Sequence, residues 1–226
     1  MRKRPLFGIR ILALVGTGTL LTAYAVSAAE NTLSRVAVYG TGMNSCEAYS
    51  AARGQQDSSE ITYINWITGY LSGANATSRR RNNLLGPADF RSALYWLDRY
   101  CAANPTEHVG QGSGMMLIAK SAASGAHAVE NAAYGPGLKS GLDYLSARRE
   151  HSEDERAYFD WLAGYLSGVN LMLLNTSDLL GNTPLTEAIH WLDGYCAEHP
   201  TSSFAEATVA LVSRYSYRPQ TAAAGQ

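Results

Sequence analysis

Three cysteines, five histidines and a repeated pairing of tyrosine with aspartate are the groups in this 226-residue chain best suited to chemistry. His108, His127, His151, His190 and His199 form no HxxxH or HExxH pattern, and Cys46, Cys101 and Cys196 form no CxxC. No metal site or other cofactor is therefore expected. Gly110-Gln-Gly-Ser-Gly114 lacks the lysine and the preceding strand of a phosphate cradle and reads as a flexible connector. Nucleophile elbows and dinucleotide fingerprints are absent as well. A tyrosine hydroxyl reaching across to a carboxylate, Tyr70 or Tyr165 to Asp98 or Asp193, makes either a satisfied core hydrogen bond or a general acid/base pair. The spacing alone assigns no catalytic residue, and the expected role is non-enzymatic.

These groups belong to a repeat. Trp66 to Asn75 (WITGYLSGAN) matches Trp161 to Asn170 (WLAGYLSGVN), and Trp96 to Thr106 (WLDRYCAANPT) matches Trp191 to Thr201 (WLDGYCAEHPT), each at an offset of 95 residues without a gap. Two tandem copies of one module follow, over 43–122 and 138–217. An N-terminal extension (30–42) precedes them. A linker rich in Ala, Gly and Ser (123–137) joins them, and a tail (218–226) that should be disordered ends the chain.

Within a copy the apolar spacing is helical. Tyr63, Trp66, Ile67, Tyr70, Leu71 and Ala74 recur three and four residues apart, as do Tyr158, Trp161, Leu162, Tyr165, Leu166 and Val169. Ala93, Trp96, Leu97, Tyr100 and Cys101 form a second stripe, ended before Pro105. Helices over 43–53 and 138–149 open the copies, and Met115–Ala123 and Phe204–Tyr215 close them. The fold expected is all-α, two tandem homologous four-helix modules, with Arg35–Tyr39 the one stretch able to extend as a strand.

Gly69 and Gly73, with Gly164 and Gly168, stand four apart on the helical face that carries the aromatic rings. Each costs about 1 kcal/mol of helix propensity relative to Ala, which close approach of another backbone would explain. That backbone is either another helix of the chain or a partner. Tyr70, Gly73 and Asn75, repeated as Tyr165, Gly168 and Asn170, are the candidate binding residues on this face, and the two asparagines also suit helix C-caps. Arg79-Arg80-Arg81 follows in the first copy only, where the second has Leu174-Asn175-Thr176. Such a loop is a candidate recognition surface.

Residues 1–10 carry four cations and residues 11–26 are apolar, with small residues following. This is the pattern of a signal peptide, cleaved after Ala29, and it implies a periplasmic or secreted protein without a stable membrane insertion. Removal of 1–29 leaves 14 cations against 19 acids, no footprint for nucleic acid. An oxidising compartment permits a bridge between Cys46 and Cys101. Gly141 falls where the second copy would need the partner of Cys196, so Cys196 is expected as a free thiol.

The order Cys46, Gly69-Tyr70-x-x-Gly73, Tyr100-Cys-x-x-x-Pro105 and a closing helix resembles the small exported helical proteins typified by periplasmic immunity proteins of the Tai type. The resemblance covers each module once. It departs where the family carries a cysteine two residues before Gly-Tyr, here Ile67 and Leu162, and where the family closes on Phe-Pro-Cys. It implies a periplasmic protein that binds another protein, immunity-like or accessory; a homodimer is a further expectation. An acid-activated periplasmic chaperone is the alternative expectation. An enzyme using Tyr70, Asp98, Tyr165 and Asp193 between the modules is the third.

Overall fold

The computed structural model describes residues 33, 35–55, 58–78, 83–85, 89–123, 133–173 and 176–216. The expected signal peptide with its cleavage after Ala29, the Arg79-Arg80-Arg81 loop, most of the linker and the tail lie outside the described residues. Among those described the fold is all-α. The helices are α1 Cys46–Gln55, α2 Ser58–Thr77, α3 Phe90–Ala103, α4 Val109–Ala123, α5 Gly141–Glu150, α6 Glu153–Met172, α7 Leu185–Glu198 and α8 Phe204–Ser216. No strand forms at Arg35–Tyr39. The two isolated bridges, Ser45 with His108 and Ser140 with Ser203, join the start of α1 to α4 and the start of α5 to α8.

Helices α2 and α6 form the centre. Every residue from Trp66 to Asn75 and from Trp161 to Asn170 is buried, so these helices are enclosed on all sides rather than on one stripe. They cross on their glycines. A Cβ on Gly69 would overlap the carbonyl of Trp161, and one on Gly164 the carbonyl of Trp66. Gly73 and Gly168 meet the carbonyls of Tyr165 and Tyr70 in the same way. The contacts are reciprocal, as across a twofold axis.

Two short straps interleave the halves. In each, a left-handed glycine (Gly40, φ 59°; Gly135, φ 61°) turns the chain into a 3₁₀ turn, Gly40–Met43 or Gly135–Leu138. The next glycine, Gly42 or Gly137, then lies flat on an indole, where a side chain would collide with Trp66 or Trp161. The indole N–H groups donate to the carbonyls of Tyr39 and Tyr134, both at 2.8 Å. The strap amides cross over: Tyr39 N–H donates to Ser167 Oγ and Tyr134 N–H to Ser72 Oγ, both at 2.9 Å.

Helix α4 begins six residues before the expected Met115, and the expected connector 110–114 is its first part. Its glycines make room for close neighbours rather than flexibility. Gly110 faces Val38, Gly112 faces Leu97 and Tyr100, and Gly114 faces Leu33. Cys46 and Cys101 form the disulfide, Cα to Cα 4.7 Å, and Cys196 is a buried free thiol. Burial, with Asp193 nearby, pushes that thiol up to about 11, away from nucleophilic use at neutral pH.

Candidate functional site

The candidate binding residues lie together, but in the contact between halves. Gly73 and Gly168 touch the opposite helix backbone, and Tyr70, Asn75, Tyr165 and Asn170 are each no more than 3% exposed. The close backbone approach that those glycines require is made by the other repeat. Asn75 and Asn170 are not left-handed caps either. Both sit within helices, and their Oδ1 atoms accept from the Leu84 and Leu179 amides at 2.8 Å, holding the loops that follow. Asn170 Nδ2 also donates to the Ala37 carbonyl at 3.0 Å.

The tyrosine partner of each aspartate is a different one from that expected. Tyr49, on α1, donates to Asp98 at 2.6 Å, and Tyr144, on α5, to Asp193 at 2.6 Å. Arg53 grips Asp98 through both carboxylate oxygens (3.0 and 3.1 Å) and also pairs with Glu60. Arg148 repeats this with Asp193 (3.1 and 3.0 Å) and Glu155. Each network ties three helices together. Burial, then the Asp98 or Asp193 carboxylate, pushes the Tyr49 and Tyr144 hydroxyls upward, so both stay protonated donors. The arrangement positions structure; the carboxylates already hold an arginine and a hydroxyl. Among the described residues no three of His, Cys, Asp and Glu converge as a metal set, and no helix is long and apolar enough to cross a membrane.

Among the described residues a cleft opens between the halves. It encloses 450 Å³ and brings Asn75 and Tyr165 together with Leu138, Ala205 and Val209, edged by Ser203 and Glu206. Tyr165 is 2% exposed, and its hydroxyl makes no hydrogen bond to a described residue. The counterpart of this space in the other half is filled. There the strap presents Val38 to Gly110, and Leu33 packs on Gly114. Ninety-five residues on, the sizes are reversed: Ala133 replaces Val38, while Ala205 and Val209 replace the two glycines. Val209 is left 46% exposed. Sequence reasoning marked Asn75 and Tyr165 but missed Ala133, Leu138 and Val209, because only the crossing of strap and helix makes them neighbours. Their signal was a break in the repeat at those positions.

A half-buried carboxylate stands beside the first strap. Asp160 on α6 faces the strap hydroxyl of Thr41 (3.4 Å) and Arg156 (3.7 Å), and burial pushes it up to about 6. The first repeat carries Asn65 at this place. In comparisons with known proteins, no family model, no curated protein and no solved structure matches this chain.

Proposed function

We propose that the chain is a non-enzymatic binding protein, exported to the periplasm, that takes an aliphatic segment of another protein into the cleft between its repeats. One observation carries the reading: among the described residues, the cleft is the open counterpart of a space that Leu33 and Val38 close in the other half. An aliphatic side chain of the partner takes the place of Leu33, against Val209 and Ala205. The Tyr165 hydroxyl, which lines the cleft, then donates to a backbone carbonyl of the partner. An immunity-like or accessory role, as the resemblance to Tai-type proteins implies, is the form of protein binding this reading takes.

The test is site-specific photocrosslinking. A benzophenone side chain at position 209, in the exported protein of the native host, should capture one dominant protein. Capture should be lost on Ala133→Leu, which fills the cleft as its counterpart is filled, while Arg149→Ser leaves it unchanged. Capture that survives Ala133→Leu would overturn the cleft as the binding surface. A broad set of captured proteins appearing only in acid would favour the chaperone reading instead.

A further inference from the structure

On the outer face of the first repeat, α3 and α4 flank an open groove of 870 Å³, nearly twice the volume of the cleft. Its floor is aromatic. Trp96 and Tyr100 stack at 5.5 Å with their planes 13° apart, and Tyr95 stands beside them 63% exposed. Among the described residues, Arg91, Arg99 and Lys120 line it against one carboxylate, Asp89. Arg91 and Arg99 are exposed and make no ion pair with a described residue. The Ser92 amide, bonded to Asp89 at 2.7 Å, keeps that carboxylate charged and occupied, so the groove as a whole is cationic.

The second repeat carries other side chains at this place. Thr186, Gly194 and Tyr215 stand where the first has Arg91, Arg99 and Lys120, and Glu198 stands where it has Ala103. Arg214 lies over the Trp191 ring at 5.7 Å, at the position of Ala119 in the first repeat. Both tryptophans are half-buried; the second repeat lays a cation over its ring, and the first sets Arg91, Arg99 and Lys120 along the groove beside its own. The conserved framework of Tyr49, Asp98 and Arg53 against Tyr144, Asp193 and Arg148 is the same in both halves. The difference is confined to side chains that the fold does not require.

We propose that this groove binds an anionic oligosaccharide, one whose sugar rings carry carboxylates. The flat C–H faces of pyranose rings lie on the Tyr95 and Trp96 rings, which offer large rigid contact at small entropic cost. The guanidinium forks of Arg91 and Arg99 match carboxylates bidentately, and Asn104 at the groove edge takes a hydroxyl. A volume of this size suits a short oligosaccharide. The described lining favours sugar over an acidic peptide. Apart from Ala103 it offers no aliphatic side chain to anchor a residue such as leucine, and its helical walls have no open backbone edge for an extended strand.

The test is calorimetric titration of the oxidised full chain with trigalacturonate, with maltotriose as the neutral sugar and hexaglutamate as the acidic peptide. Trigalacturonate should bind, and more weakly as salt is raised. Arg91→Ser with Arg99→Ser should weaken it at least about tenfold, the scale of losing charge-assisted hydrogen bonds. Tyr95→Ser should weaken it too, whereas Arg149→Ser in the second repeat should not. Three results would each overturn the proposal: no binding, equal binding of maltotriose, or hexaglutamate bound as tightly as trigalacturonate with no effect of Tyr95→Ser. The exposed positions chosen leave the fold intact, so circular dichroism of each variant should match that of the parent.

Discussion

Gly141→Cys should give the second repeat the disulfide that the first already has. Gly141 opens α5 where Cys46 opens α1, and its φ is ordinary, so a side chain is admitted. A Cβ built there lies 3.1 Å from Cys196 Cβ and 3.3 Å from its Sγ. Bridged cysteines usually hold their Cβ atoms about 3.5–4.5 Å apart, so the start of α5 must move by a few tenths of an ångström. The loop closed equals the native one, a separation of 55 residues. Chain entropy then predicts about 4 kcal/mol of stabilisation, on a model that counts only the unfolded state. For a chain of this size that is roughly 8–16 °C in Tm. The assay is a thiol count with thermal unfolding, oxidised variant against oxidised parent. The parent should show one thiol after denaturation and the variant none, and the rise in Tm should vanish on reduction. Two free thiols in the variant, or a bridged variant no more stable than the parent, would refute the equivalence of the two sites.

Two further substitutions probe the packing. Gly69→Ala places a methyl against the Trp161 carbonyl, a backbone atom that cannot swing aside, and should cost about 1–3 kcal/mol or more by urea denaturation. Gly194→Ala, mid-helix in α7 with open space around it, should instead stabilise by roughly 0.4–1 kcal/mol. Asp160→Asn addresses pH. Because burial holds this carboxyl up to about 6, the folded state keeps its proton while an unfolded aspartate near 3.9 has lost it. Stability therefore falls as pH rises from about 4 to about 6, by on the order of 2 kcal/mol. The asparagine variant should flatten that slope and be the more stable protein at pH 7.5. An unchanged pH profile would refute the assignment. The sign also bears on the chaperone alternative: at this strap contact mild acid tightens the fold, so acid loosening would have to arise at other carboxylates.

The helices, the disulfide and the small-residue face of α2 and α6 were legible because each rests on local periodicity or on pairs the repeat duplicates. The straps were not. Tyr39-Gly40-Thr41-Gly42 has no helical spacing, and its role depends on an indole in α2 and a serine in α6. The clue was present, since Tyr134-Gly135-Pro136-Gly137 returns at the same offset. The glycines of α4 misled for a related reason. Glycine signals flexibility when alone, whereas here each marks a neighbour too close for a Cβ. The choice of Tyr49 over Tyr70 as the partner of Asp98 was likewise beyond periodicity, because both tyrosines recur and only the crossing of α1 and α3 decides between them.

The reciprocal crossing of α2 and α6 also sets an order in time. During synthesis the first repeat emerges with the glycine face of α2 uncovered, and its covering helix follows about 95 residues later. The Tyr39 strap likewise waits for Ser167. Contacts this distant in sequence carry a large loop-closure cost before they return any stability, so they form late and slowly. Neither half has its centre until the other arrives, and the chain should therefore unfold in one cooperative step rather than repeat by repeat.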